Sequence, residues 1–316
     1  MTRSNRTAGA PDAGAAWRRL LTVRSAAGAR EAGLRRGADG GWAWPEPVPA
    51  GAAALAARYL PLCLAGPHTA FAQLGQSADG FIATRTGDAD YVTGEEDRLH
   101  LHRMRALADA VLVGAGTATA DDPRLTVRAC EGAHPVRVVL DPRGRVPRGR
   151  GVFTDGAAPT LWVVGADTAA ARGRPPGDGV TVLSLGDRAA FAPRPLLSAL
   201  AARGLGRVLV EGGGDTVSRF VRAGVLDRLY LTIAPVLIGD GVPGLRFPGT
   251  GVMRRALRPP ARRTLLGEDT LWEFDLRGCG PQPGDAAGDQ HADAGQARDE
   301  GEHAVDHGHG QALGRA

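Results

Sequence analysis

The sequence predicts an α/β fold: a mostly parallel central sheet with helices on both faces and an antiparallel edge at its C-terminal end. Two observations carry this. Short runs of Val, Leu and Ile recur from Thr69 onward and are separated by segments with helical spacing, the alternation that builds parallel sheets. The last two runs, within Arg262 to Leu276, face each other across Gly267-Glu268-Asp269 and read as a hairpin.

In chain order, Thr69 to Leu74 is the first predicted strand, Ser77 to Gly80 a turn, and Phe81 to Thr84 its continuation. Glu95 to Ala108 is predicted helical. Acids in its first turn suit the helix dipole, and Leu101, Met104 and Ala108 share a face. Strands are predicted at Ala110 to Val113, Val136 to Leu140, Thr160 to Val164 and Val180 to Leu183. A helix at Pro195 to Arg203 leads into a strand at Arg207 to Glu211, a helix opens near Asp215, and Leu226 to Val236 is a long alternating strand.

Three regions follow: residues 1–66, a domain over 67–278, and a tail over 279–316. The first is rich in Ala, Gly and Arg, with short helices expected at Trp17 to Leu21 and Ala52 to Leu62. Its aliphatic content is too thin to bury much surface, so it reads as an extension, packed on the main domain or only partly ordered. The tail is nearly devoid of large apolar residues and is expected to be disordered. His303, His307 and His309 read as part of that solvated tail rather than as a metal site.

The 316 residues are 43% hydrophobic, with a formal charge of +4 that is carried by arginine alone. The arginines are scattered and lack interleaved aromatics, which argues against nucleic-acid binding. Cys63, Cys130 and Cys279 form no C-x-x-C pair, so neither a disulfide framework nor a structural zinc site is expected. Without a secretory signal or an apolar run of about twenty residues, the expected location is the cytoplasm, with no membrane partner.

The stretch around which the domain is organised is VLVGAGTATADDPRLTVR, Val111 to Arg128. An apolar run breaks at Gly114 and Gly116, where the missing Cβ lets a ligand approach the backbone. Thr117 and Asp121 then offer a hydroxyl and a carboxylate, and Leu125 and Arg128 an apolar contact and a fixed cation. A second run, Leu209-Val210-Glu211-Gly212-Gly213-Gly214-Asp215-Thr216, passes from strand to helix, where bare backbone N–H groups suit a pyrophosphate. It is neither the Rossmann nor the Walker motif. Glu211, at a strand's end, is either paired with an arginine or used to bind a ligand's N–H groups.

QLGQSADGFIAT, GDADYVTGEE, RMRALADAVLVGAGTATADDPRLTVR, PVRVVLD and LVEGGGDTVSRFVRAGVLDRLYLTIAPVLIG, in this order, make residues 68 to 276 resemble the reductase domain of bacterial riboflavin biosynthesis, the C-terminal half of RibD. That resemblance implies a dihydrofolate reductase-like fold, NADPH as cofactor and a homodimer. It implies hydride transfer to C1′ of a ribosylamino-pyrimidine 5′-phosphate. By the same resemblance Gln76, Tyr91, Gly114, Gly116, Thr117, Asp121, Gly213, Gly214, Asp215, Thr216 and Ser218 match cofactor positions. Ala89, Arg105, Leu125, Arg128 and Glu211 match substrate positions. For catalysis it points to Asp121 and Glu211, with Asp121 or a bound water as proton donor. The deaminase zinc signature is absent from the sequence, so a stand-alone reductase is expected.

Two departures bear on substrate. Gln73 stands where the family usually has lysine, and Ala89 where it usually has serine. They leave open a reductase of another pyrimidine or pterin-like heterocycle, or a catalytically silent NADP(H)-binding paralogue with a regulatory or assembly role.

Overall fold

In a computed structural model, residues 10–279 are described, except 39, 46, 173, 174 and 248. Of the expected tail over 279–316, residues 280–316, which include its histidines, lie outside the described residues. The N-terminal region supplies helices α1 (Ala13–Thr22) and α2 (Ala26–Glu31), the short strands β1 (Arg35–Arg36) and β2 (Trp42–Ala43), and helix α3 (Ala50–Cys63). The domain proper begins with β3 (Thr69–Ser77), β4 (Phe81–Thr84), α4 (Glu95–Leu107), β5 (Ala110–Gly114) and α5 (Ala115–Ala120). It continues through β6 (Val136–Leu140), α6 (Gly151–Thr154), β7 (Thr160–Gly165), α7 (Ala166–Arg172), β8 (Val180–Leu185), α8 (Pro193–Ala201) and β9 (Arg207–Val210). Helix α9 (Gly214–Arg222), β10 (Arg228–Ala234), β11 (Gly241–Pro243), β12 (Ala261–Leu266) and β13 (Asp269–Asp275) complete it.

Nine strands form one sheet in the order β12-β13-β10-β3-β9-β5-β6-β7-β8. Every pair from β10 to β8 is parallel, and β13 and β12 run antiparallel at the edge, as the hairpin predicted. Because strand side chains alternate between faces, each strand feeds two cores. Phe71, Val111, Val113, Val139, Trp162, Leu209 and Tyr230 pack on one face beneath α4, α1 and α3. Ala72, Leu112, Val138, Leu161, Val163, Val208 and Val210 pack on the other, against Leu196 and Leu200 of α8 and Val217 and Phe220 of α9.

The N-terminal region buries more than its aliphatic content suggested. Trp17, Leu20, Leu55, Tyr59, Leu60 and Cys63 belong to the first core. Trp17 and Tyr59 meet edge to face at 5.4 Å, and the Trp17 indole donates to the Glu131 carbonyl at 2.8 Å. Arg207, at the start of β9, donates to the Cys63 carbonyl at 2.6 Å. Aromatic area and alanine-lined helix contacts supply what aliphatic residues do not.

The segment after Gly114 is helix α5, and residues 121–128 follow it without strand structure. The strand expected over Leu226 to Val236 is shorter, spanning Arg228–Ala234. As β10 it is enclosed between β3 and β13, so its residues are occupied within the sheet. Among the described residues, no helix is long and apolar enough to cross a membrane.

Candidate functional site

A cavity of about 540 Å³ opens at the C-terminal ends of β3 and β9, where the strand order reverses around the first strand of the domain. Gln73, Leu74 and Gly75 of β3 form one wall, and Glu211, Gly212 and Gly213 beyond β9 another. Asp97, Arg98 and Leu101 of α4, the Ala89–Thr93 loop and Asp121 close the remainder. Polar groups reach these strand ends because each parallel strand stops there and the chain turns over the sheet.

Asp97 was not singled out from the sequence. It is 3% exposed, yet it lines the cavity. Thr232 of β10 donates its hydroxyl to Asp97 Oδ1 at 2.6 Å, and the Gln73 amide donates to Oδ1 and Oδ2 at 3.4 and 3.3 Å. Register explains the meeting: Gly75 pairs with Thr232 and Gln73 with Tyr230, which sets Gln73 and Thr232 on the sheet face under α4. Gly75 is required there, because a Cβ would lie 2.7 Å from Thr93 Cγ2. Burial pushes the Asp97 carboxyl above its ordinary value. Hydrogen bonds from Thr232, Thr93 and Gln73 oppose that shift, and the negative charge of Asp269 adds to it. A third acid in the first turn of α4, and a threonine within an apolar strand, were the available signals.

Glu211 takes the arginine-paired alternative. Arg105 of α4 grips it with two donors: Nε reaches Oε2 at 2.9 Å, Nη2 reaches Oε1, and Nη1 holds the Thr126 carbonyl at 3.0 Å. Both side chains are buried, so Arg105 serves the framework rather than offering a free cation. Leu125 is fully buried in the core and is not among the residues that line the cavity.

Of the adjacent aspartates, Asp121 lines the cavity as an exposed side chain, and partial desolvation at the rim raises its carboxyl above the ordinary value. Asp122 instead accepts the Gly151 N–H at 2.7 Å, at the start of α6. Tyr91, at φ 63°, is 83% exposed at the cavity mouth with the Arg98 guanidinium 5.8 Å from its ring centre. Such a backbone costs on the order of 1–3 kcal/mol and is held only by its surroundings. Asp122 and Leu125 also adopt positive φ, so three strained non-glycine residues lie within the two segments around the site.

Ala89, Tyr91, Asp121, Glu211 and Gly213 are thus brought together in the cavity lining. The other candidates lie outside that lining. Thr117 Oγ1 accepts the Gly213 N–H at 2.9 Å, and Gly114 leaves room for Thr216, whose Oγ1 would sit 2.7 Å from a Cβ. Gly116 adjoins open space. Gly214 opens α9 against the carbonyls of Pro243 and Gly244, which a Cβ would strike. Asp215 is exposed in the first turn of α9, whose N-cap Gly213 has no side-chain cap. Ser218 accepts from the Arg246 N–H at 2.7 Å and Gln76 from the Leu245 N–H at 3.4 Å, so both fasten the segment after β11. Arg128 is exposed, and slight desolvation together with the charges of Arg105 and Arg124 lowers its pKa, which marks a concentration of positive charge. Arg124 was not singled out from the sequence.

Residues 69–264 match the model of the RibD C-terminal domain. The chain is 40% identical over 177 residues to the riboflavin biosynthesis protein RibD of Bacillus amyloliquefaciens, covering 55% of this chain and 47% of that protein. It therefore spans about half the length of that relative. It is 35% identical over 206 residues to the 2,5-diamino-6-ribosylamino-4(3H)-pyrimidinone 5′-phosphate reductase of Methanothermobacter thermautotrophicus, covering 63% of this chain and 94% of that protein. RibD of Acinetobacter baumannii superposes with a TM-score of 0.57 at 25% identity, over 71% of this chain and 62% of that one. The α/β fold of the dihydrofolate reductase-like class, expected from the sequence, is borne out by these neighbours.

Proposed function

Because the chain belongs to the RibD C-terminal domain family, we propose that it is an NADPH-dependent reductase of a 5-amino-6-ribosylamino-pyrimidine 5′-phosphate or a closely related heterocycle. The observation that supports this best is the cavity itself, which sets a carboxyl-bearing rim at Asp121 beside the glycine turn that opens α9. In the reaction a hydride forms a new C1′–H bond, the C1′–O4′ bond breaks, and a proton reaches O4′ to leave the ribityl hydroxyl.

The residues present fit the cofactor. Gly212 and Gly213 present backbone without side chains at the cavity edge, and the uncapped start of α9 offers N–H groups and a positive dipole end to a pyrophosphate. When bound, NADPH supplies the hydride. Asp121, its carboxyl raised by partial desolvation, is placed to hold the proton destined for O4′. Arg128 and Arg124 attract the 5′-phosphate. Arg105 and Glu211 fix the wall between α4 and β9, and the Ala89–Thr93 loop shields the mouth from water. In a homodimer, exposed apolar side chains such as Leu237, Met253 and Leu265 are available for burial. Oxidation of NADPH by the full chain with the amino and deaminated pyrimidines tests the proposal, and oxidation with neither contradicts it.

A further inference from the structure

The cavity holds a buried carboxylate, Asp97, that has no ion-pair partner among the described residues; Arg98, the cation in the lining, is engaged with Glu95 and the Tyr91 ring instead. Gln73, Thr93 and Thr232 give Asp97 neutral hydrogen bonds only. The charged group that acts on it most is another carboxylate, Asp269, itself held by the Gly94 N–H at 2.7 Å. Within the family a lysine is usual at the position of Gln73, so here a neutral amide faces the acid. A buried charge with neutral partners is costly, and at a cavity wall a ligand's N–H groups can supply what the protein does not.

We propose that Asp97 reads the N–H edge of the pyrimidine and selects a ring bearing an amino group at C2 over one bearing an oxygen there. This rests on the reductase reading above and adds the form of the substrate. A 2-amino-4-oxopyrimidine presents its exocyclic amino N–H beside the ring N3–H. These two parallel donors match the two oxygens of a carboxylate, as a guanidinium does. Deamination replaces the amino group by a carbonyl, which sets an acceptor against an acceptor. A buried polar group left unpaired makes such a site reject the wrong analogue strongly.

Gln73 and Thr232 act as positioning residues. The Thr232 hydroxyl fixes Oδ1 at 2.6 Å and the Gln73 amide steadies Oδ2 at 3.3 Å, leaving carboxylate lone pairs free for a ligand. Gly75, where a Cβ would come 3.4 Å from Oδ2, keeps the approach to that oxygen open.

The test is calorimetric binding of both phosphates, 2-amino and 2-oxo, to the full chain saturated with NADP⁺, so that no turnover occurs. The wild type is expected to bind the 2-amino compound at least ~10-fold more tightly, and Asp97→Asn to bring the two within ~3-fold, mainly by weakening the 2-amino compound. Equal binding or a preference for the 2-oxo compound by the wild type, which needs no variant, overturns the proposal. So does an unchanged ratio in a folded Asp97→Asn protein. Thr232→Val serves as a second variant, expected to reduce the ratio by a smaller factor. Selective binding without NADPH oxidation contradicts the reductase reading and leaves the Asp97 selectivity standing. Binding of neither phosphate overturns both.

Discussion

Thr117 Oγ1 accepts the backbone N–H of Gly213 at 2.9 Å, joining α5 to the glycine turn that opens α9 across 96 residues of sequence. The hydroxyl holds the turn in the position from which the start of α9 would meet a pyrophosphate. Thr117→Val keeps the shape and removes the acceptor. NADPH affinity, followed by fluorescence titration, is expected to fall ~10-fold, with a loss of stability of about 1 kcal/mol. Unchanged affinity would detach this hydrogen bond from cofactor binding.

The buried Arg105–Glu211 pair separates a structural role from a substrate role. Glu211→Gln leaves the guanidinium without its charge partner and is expected to cost about 3–5 kcal/mol in denaturant unfolding. An Arg105→Met, Glu211→Gln double variant should recover a substantial part of that loss, because the two side chains are coupled. If Glu211→Gln keeps wild-type stability and loses only turnover, Glu211 contacts substrate instead.

Asp97 is held at a cost to stability. Its carboxyl is raised in the folded protein, so the folded state binds the proton more tightly than the unfolded chain. The stabilising contribution is full at low pH and is lost as pH rises through the raised value. Asp97→Asn at neutral pH is therefore expected to melt at the wild-type temperature or above. A marked drop would show the charge to be structural.

His100 gives the molecule an acid-sensitive element. It is fully buried with Nδ1 2.8 Å from the Tyr59 hydroxyl, and burial, aided by Arg58 and Arg103, lowers it from 6.5 to about 3. His102 is lowered to about 4, again mainly by burial. The unfolded chain takes up these protons first, so stability is present above about pH 6.5 and falls as pH drops toward about 4, by about 1.4 kcal/mol per unit for each group. His100→Asn keeps a polar atom near the Nδ1 position, and its melting temperature should depend less on pH over this range. An equal slope would place the acid sensitivity elsewhere.

The parallel strands were readable because runs such as Ala110 to Val113 are apolar on both faces, as a covered sheet requires. Helix α5 was not, since Ala115-Gly116-Thr117-Ala118 has weak helix propensity and the helix is held by its surroundings. Of the two glycine runs, Gly212 and Gly213 line the cavity whereas Gly114 and Gly116 do not, and which aspartate of Asp121-Asp122 faces it depends on the turn between α5 and residue 128. Glu211 could be read as paired or free, because its arginine lies 106 positions away. Asp97 escaped notice for the same reason: Thr232 is 135 positions distant, and only strand register and the placement of α4 bring them together. The N-terminal region was undervalued because counting aliphatic residues omits what Trp17 and Tyr59 bury.

The most direct test of the reductase assignment is the oxidation of NADPH by the full chain with 2,5-diamino-6-ribosylamino-4(3H)-pyrimidinone 5′-phosphate, the ribityl product being identified by mass. One NADPH consumed per ribityl chain formed, with turnover greatly reduced in Asp121→Asn, is the expected result. Tight NADPH binding with no oxidation on this substrate or its deaminated form would contradict it.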